Sequence, residues 1–418
     1  MPASASAACP SGHRADGSDC DWIGSPSYIG GASYYSRGEF IYSDFIHDDS
    51  GANIDGLTAN NPDPPQPVTG VHVDPSDPTN PDIGGAANDG DRFQHSGDFG
   101  YPMSAPREYL DVADVVEFRQ ALDGGKLHFL VRLGALSAPD STVVGIGIDS
   151  DRNRATGAGA WPRGANMPQQ LGYDYFVTLW GSGGELVDYT GKTPKSTPIH
   201  VVSKTGARPP YIEADAPLPA GLKLGKWRTY VGAGLWDAAG GAWKHPDPAP
   251  QQTAAPGALH AAPYIYNLLF RPYEPNSWWH DTTEANDLAH HDISEDHADI
   301  DATLLAKKAS TSRPHPTGLL NIQYRTLPLN GGQGTENAPA TDIWRGPIQP
   351  YMLMLPSNYY SKPHPRRFMF FYHCAFCQQN VWSFGVEHYA QHNQNNLTDG
   401  PIGTQHIQEI ADANDMMV

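Results

Sequence analysis

The pattern of apolar and polar residues divides the chain into two regions of different character. In the first region, short runs rich in β-branched and aromatic residues recur at regular spacing, and Gly, Pro, Asn and Asp separate them. Runs of this kind are typical of short strands joined by ordered turns. The predicted strands cover residues 34–45, 112–120, 127–136, 142–149, 173–180, 197–202, 211–218, 227–237 and 264–271. Their regular spacing predicts a β-sandwich.

The second region starts with a helical pattern and then returns to strands. A helix over 284–309 is predicted from apolar residues at nearly helical spacing, namely Leu288, Ile293, Ile300, Leu304 and Leu305. Residues 318–326 and 351–360 are strand-like. Residues 366–374 are strongly apolar, as expected of a strand buried inside a parallel sheet. A second helix is predicted over 404–415, and another strand from residue 416.

These patterns predict a multi-domain chain. A lead-in bracketed by cysteines covers residues 1–30, the β-sandwich 31–275, a helical connector 276–317, and the first part of an α/β domain 318–418. Residues 53–100 are rich in Asn, Asp, Pro and Gly, so we expect a long loop within the sandwich.

Charge narrows the classes of partner. The chain carries 46 acidic and 27 basic residues, a formal net charge of −19. Such a surface repels the phosphates of nucleic acids and anionic membranes, so neither is an expected partner. No apolar stretch is long enough to span a bilayer. An acidic surface suits an extracellular protein that binds divalent cations.

The four cysteines form two local pairs, Cys9 with Cys20 and Cys374 with Cys377. An even number of closely spaced cysteines favours two disulfides and a secreted protein, and the alternative is four free thiols in the cytosol. The Cys374–Cys377 pair has the C-x-x-C spacing of a redox pair, half a zinc site or a structural clip. We favour the clip, because there is no second C-x-x-C and no thioredoxin-like βαβ unit.

Two acidic clusters are candidate metal sites. Asp149, Asp151 and Asn153 follow the strand 142–149 at alternate positions, an arrangement whose oxygens can converge on calcium. The spacing is that of the start of an EF-hand loop, but Gly at the sixth position and Glu at the twelfth are missing. An Asx-rich turn is the alternative. The second cluster is Asp44, Asp48 and Asp49, for which a solvated acidic loop is the alternative. Calcium is the expected cofactor, and no organic cofactor is expected.

Several segments of the first region resemble the C-terminal binding module of glucodextranases, which is related to carbohydrate-binding β-sandwiches. The similar segments are residues 38–52 (GEFIYSDFIHDDSGA), 97–102 (GDFGYP), 113–119 (ADVVEFR) and 148–153 (IDSDRN). The resemblance covers roughly residues 30–275. It implies a β-sandwich that binds calcium and attaches to a polysaccharide or a cell surface. Sugar sites stack their ligands on exposed aromatic rings, but core packing is the favoured role of Trp161, Trp180, Trp227 and Trp236.

A second resemblance covers residues 318–418. The segments 349–359 (QPYMLMLPSNY), 367–374 (RFMFFYHC) and 375–380 (AFCQQN) are similar to the opening of secreted α/β-hydrolases of the prolyl-oligopeptidase and esterase kind. The resemblance implies that the loop after the apolar strand gives a backbone N–H to an oxyanion hole, from Cys374, Ala375 or Phe376. Cys374 stands where such hydrolases usually have glycine.

No G-x-S-x-G motif occurs in the 418 residues, so no catalytic residue is assigned. The histidines of the connector, His280, His290, His291 and His297, are expected on a solvated helix face. Our leading hypothesis is a secreted serine hydrolase of the esterase or peptidase class with an N-terminal calcium-binding β-sandwich. Its catalytic half would follow Val418, and an associated C-terminal fragment would then complete the domain. The rival hypothesis is a non-enzymatic surface or carbohydrate-binding protein.

Overall fold

A computed structural model gives the architecture. It describes residues 9, 12–44, 112–165, 171–181, 183–207, 209–244, 267–270, 297–315, 317–325, 348–361, 367–369 and 410–418. β-Strands are the predominant secondary structure of the described residues. Among them, no helix combines the length and the apolar character needed to cross a bilayer.

Thirteen strands form one antiparallel sheet. Their bounds are β1 (Ala32–Ser36), β2 (Glu39–Ser43), β3 (Val115–Asp123), β4 (Lys126–Leu133), β5 (Thr142–Asp149), β6 (Tyr175–Trp180), β7 (Gly183–Asp188), β8 (Lys195–Lys204), β9 (Tyr211–Pro217), β10 (Lys226–Asp237), β11 (Ala242–Trp243), β12 (Asn267–Leu268) and β13 (Ala298–Asp301). The strand order is β1-β2-β3-β4-β9-β8-β7-β6-β5-β10-β11, and β12 and β13 both pair with β10.

The sheet curls around a single large core, as expected for a β-sandwich. Phe270, directly after β12, contacts Phe40 and Tyr42 of β2 and Phe118 of β3, with ring centroids 4.7 to 6.2 Å apart. Strands far apart in the sheet order therefore face each other across the core. Alternate residues of β4, β5 and β10 fill the space between them, including Phe129, Ile146 and Trp227.

Residues 298–311 close the gap between the two ends of the curled sheet. Strand β13 pairs with β10 and leads into helix α1 (Ala302–Ala306), which the side chain of Asp301 caps by accepting the N–H of Thr303. The N–H of Gly38 then donates to the carbonyl of Ala309, and the N–H of Thr311 to that of Tyr35, which joins the β1–β2 hairpin. This closure corrects the helix predicted over 284–309. Of its described residues, Ala298–Asp301 form a strand and only a short segment is helical.

The predicted strand 34–45 is a hairpin, β1–β2, with its turn at Arg37 and Gly38. Both turn residues have positive φ, as type I′ turns require. Of the other predicted strands of the sandwich, 142–149 has the predicted bounds and the rest have shifted ends, with only Asn267–Leu268 of 264–271 seen as a strand. The prediction of a β-sandwich is confirmed at the level of architecture. Strands β7, β11 and β13 were not predicted.

The described parts of residues 318–418 form short paired strands. Strands β14 (Gly318–Arg325) and β15 (Ile348–Leu355) pair antiparallel, and β16 (Arg367–Phe368) pairs in parallel with β17 (Met416–Met417). Residues 410–414 are helical and directly precede β17. Met354 of β15 exchanges two backbone hydrogen bonds with Val418, at 2.7 and 3.1 Å. An isolated bridge between Ile29 and Ile322 joins this part to the N-terminal lead-in.

Gly38 and Gly125 offer a matched test of the closure. Both occupy the second position of a two-residue hairpin turn with positive φ, +84° and +75°. A Cβ on Gly38 would lie 2.7 Å from the Cα of Lys308, whereas a Cβ on Gly125 would meet nothing within 4 Å. We expect Gly125→Ala to cost about 1 kcal/mol of unfolding free energy from backbone strain alone, and Gly38→Ala to cost at least about 3 kcal/mol because α1 must move. Urea unfolding measures both, and equal costs would contradict this closure.

Candidate functional site

The candidate site lies at the end of β5, where the chain turns back towards β6. Asp149 is the last residue of β5, and the loop that follows returns at Ala158, which bridges to Tyr173. Gly157, with a φ of +69°, permits this return, because a Cβ there would lie 2.3 Å from the carbonyl oxygen of Tyr173. Only glycine fits so close to another backbone.

Three carboxylates meet at this turn. Each of Asp149, Asp151 and Asp174 offers an oxygen, and these oxygens lie within 4.8 Å of one another. Asp174 stands just before β6 and is held against the end of β5 because its N–H donates to the carbonyl of Ile148 at 2.8 Å. The structure therefore brings together two of the predicted ligands, Asp149 and Asp151, with one that sequence reasoning missed.

Asn153, the third predicted ligand, shapes the loop. Its backbone N–H donates to Asp149 at 3.2 Å and to Asp151 at 2.8 Å. Its side-chain oxygen accepts the N–H of Ala155 at 3.1 Å. The Asx turn that was the alternative to a metal site is thus present, and it orients the two aspartates.

The three carboxylates differ in their surroundings. Asp149 is fully buried, and burial raises its pKa to about 6, even though the guanidinium of Arg228 lies 3.4 Å from Oδ2 and favours the charged form. Asp174 is buried and accepts hydrogen bonds from the backbone N–H and the hydroxyl of Ser150. Asp151 is exposed and accepts a bond from the hydroxyl of Thr156 at 2.9 Å. One open side and oxygen-only ligands suit a hard cation.

The other predicted site residues lie elsewhere or outside the described part. Asp44 is buried at the end of the β1–β2 hairpin, while Asp48, Asp49, Cys374, Ala375, Phe376 and Cys377 fall outside the described residues. Cys9 is exposed, and its hydrogen bond with Cys20 raises the pKa of the Cys9 thiol. The disulfide between them stays a prediction.

The favoured core role is confirmed for three of the four tryptophans. Trp161, Trp227 and Trp236 are buried. Trp180 is half-buried and stacks on Trp236 with centroids 4.9 Å apart, and the guanidinium of Arg163 lies 5.0 Å from its ring. Its contacts are thus largely with the protein itself.

An ionic cluster that the sequence did not reveal lies on the outer face of the sheet. The N-terminal strap, residues 12–24, crosses β2, β3, β4 and β9 there. His13 of the strap contacts Asp123 at 2.7 Å and Glu39 at 3.2 Å. His128 of β4 contacts Asp123 at 2.9 Å and Asp215 at 2.7 Å. The partners are up to 200 residues apart, so no local sequence signal marks them.

Comparison of the chain with protein-family models, curated proteins and solved structures gives no match. The function proposed below therefore rests on the geometry of the molecule itself.

The raised pKa of Asp149 predicts a pH dependence in cation-free buffer. Its folded-state pKa of about 6 exceeds the ordinary value, so the folded state holds the proton more tightly. The stability from this group is present below about pH 4 and is lost as pH rises through about 6. We therefore expect Asp149→Asn to gain stability relative to wild type over that interval. Its free energy of unfolding should rise relative to that of wild type, because the variant has no proton to lose at this position. Chemical denaturation with a chelator present measures this.

Asp237→Asn, which changes a turn carboxylate at the far end of β10, is the matched control, and its stability should run parallel to that of wild type. A constant difference between Asp149→Asn and wild type from pH 4 to 7 would show that Asp149 does not titrate in this range.

Proposed function

We propose that the β-sandwich is a module that binds a divalent cation, with calcium as the preferred ion, in an extracellular protein. The observation that carries the proposal is the convergence of Asp149, Asp151 and Asp174 within 4.8 Å. Carboxylates this close repel one another unless a positive charge offsets them.

Arg228 alone does not offset the negative charge of all three carboxylates. It approaches one oxygen of Asp149 at 3.4 Å, and no ion pair to Asp151 or Asp174 is found among the described residues. One oxygen from each carboxylate would supply three of the six to eight oxygen ligands that calcium takes, and further oxygens and waters would complete the shell. Magnesium, which demands a tighter octahedron, is expected to bind less well.

A bound cation would tie three parts of the sandwich together. Asp149 ends β5, Asp151 lies in the turn, and Asp174 directly precedes β6. The ion would therefore fix the turn 150–158 against both strands, which explains how such a module gains stability from its ligand.

Calcium titration of the full chain tests the proposal. We expect one site by calorimetry, and at a calcium concentration of a hundred times Kd a gain of about 2.7 kcal/mol in unfolding free energy. Asp174→Asn should weaken binding by on the order of tenfold or more, because it removes a charged ligand.

Asp237→Asn provides the control. Asp237 also accepts a turn N–H, that of Ala239 at 3.0 Å, but lies at the opposite end of β10 from Arg228. This variant should bind calcium like wild type. If Asp174→Asn and wild type bound calcium with equal affinity, Asp174 would not be a ligand and the proposed site would be wrong.

A second candidate function rests on residues 318–418. The parallel pairing of β16 with β17, with a helix directly before β17, supports a strand–helix–strand crossover of the kind used in α/β sheets. Val418 bonds to β15, so the sheet would combine the antiparallel pair β14–β15 with this crossover. We propose on this basis, together with the resemblance of residues 349–380, that the region belongs to a serine hydrolase of the esterase or peptidase class.

A fluorophosphonate probe applied to the native protein from its own source tests the hydrolase. We expect covalent labelling of one serine, in a peptide that lies outside residues 1–418 because these lack the G-x-S-x-G motif. Heat-denatured protein is the control and should not be labelled. Unlabelled native protein with an intact mass that matches the printed sequence would favour the non-enzymatic alternative.

A further inference from the structure

The N-terminal strap is held mainly by hydrogen bonds to polar and charged groups of the sheet. Its backbone N–H groups donate to carboxyl groups: Ala15 to Asp215, Gly17 to Glu213, and Ile23 and Gly24 to Glu39. The apolar contact is a small cluster in which Trp22 packs with Ala121, Leu130 and Tyr211. The position of the strap therefore depends on the charge state of these acids and of the histidines between them.

His13 is doubly engaged. Nδ1 lies 2.7 Å from Asp123 and Nε2 lies 3.2 Å from Glu39. Carboxylates accept and do not donate when ionised, so both contacts are hydrogen bonds only while the imidazole carries two protons. Although burial opposes the charge, the two carboxylates raise the pKa of His13 above its ordinary value.

The carboxylates around His13 stabilise its positive charge. Asp123 also faces His128 and Lys308, and Glu39 also faces Arg119, which lies 2.9 Å away. The hydrogen bonds of His13 lower the pKa of Asp123 against the effect of burial. Loss of the proton from His13 would remove one of the two hydrogen bonds and leave a lone pair facing a carboxylate.

Glu213 holds the other end of the strap. It is 1% exposed and accepts the Nε1–H of Trp22 and the N–H of Gly17, both at 3.1 Å. Burial, with the nearby charges of Asp21 and Asp16, raises its pKa to about 8. Glu213 therefore sits beneath the strap as a neutral acid near neutral pH.

Among the described residues, no ion pair to Glu213 is found. The guanidinium of Arg132 of β4, which lies over Tyr211, contacts Glu117 and Asp19. Lys204 of β8 lies beside Gly17 at the edge of the strap, with Nζ 3.5 Å from where a Cβ would stand. Ionisation would thus place a new negative charge among the strap's own aspartates.

From this geometry we infer that residues 12–24 form a proton-dependent strap, docked on the outer face of β3, β4 and β9 at acidic and neutral pH and released under alkaline conditions. Both His13 and Glu213 bind a proton in the docked state and lose it as pH rises. Docking is therefore strongest below the pH at which they ionise and is lost as pH rises through about 8. Release uncovers Leu130 and Tyr211 while the core of the sandwich stays folded.

Hydrogen exchange of the full chain, with reductant to keep Cys9 and Cys20 as thiols, tests the strap. After correction for intrinsic rates, we expect protection of the amides of Gly17, Ile23 and Gly24 to fall by about tenfold or more per pH unit between about pH 6 and 8, and to level off once both groups have ionised in the docked state. Amides of β10 should keep their protection. Constant strap protection from pH 6 to 9.5, or loss in step with β10, would overturn the inference.

Glu213→Gln removes one of the two protons and should lower the slope of log protection against pH by about one. Glu185→Gln is the matched control, because Glu185 is also buried but pairs with Arg163 far from the strap. It should leave the slope unchanged. A Glu213→Gln slope equal to that of wild type would assign the release to other groups and contradict the role given to Glu213.

Discussion

The hydrogen-bonding edges of β10 are the constraint on which the rest of the sandwich depends. One edge pairs with β5 over eight residues, and the other is shared by β11, β12 and β13. Buried backbone groups must be paired, so the chain has to supply these late strands before the curled sheet can close. The same arrangement places Arg228 directly between Asp149 of β5 and Asp299 of β13. Closure of the sheet and construction of the candidate site are therefore consequences of one set of pairings.

The two groups of buried acids are balanced in different ways. Under the strap, Glu39 and Asp123 each face a basic partner, and the cluster is compensated within the protein. At the end of β5, three carboxylates lie together, and the guanidinium of Arg228 pairs with Asp149 alone among the described residues. Buried charges are costly unless they are paired, so the second group has a deficit of positive charge that an ion from solution would fill. This contrast is the physical basis for placing the binding site there.

Local patterns revealed most strands, because alternation and turn residues depend on near neighbours. They failed where two elements share one pattern. Ile300 lies in β13 and Leu305 belongs to α1, yet both face the core, and together they imitate a helical period. Strand-forming residues lie on both sides of Arg37 and Gly38, so the segment was predicted as one strand and the hairpin turn stayed hidden.

The residues of both clusters meet through pairing between distant strands, which the local sequence does not reveal. Asp149 and Asp151 carry a recognisable spacing, but Asp174 joins them only through the pairing of Ile148 with Tyr175. This antiparallel pairing was the one available signal, because it brings the end of β5 next to the start of β6. His13 and Glu213 had no such signal, because their partners come from strands scattered across the sequence.

Anomalous scattering from crystals grown with calcium tests the central claim, that the end of β5 is a cation site, most directly. We expect one strong peak about 2.3–2.6 Å from oxygens of Asp149, Asp151 and Asp174. Arg228 should lie no nearer to Asp149 than 3.4 Å. A calcium peak elsewhere, with these three carboxylates bound only to protein and water, would contradict it.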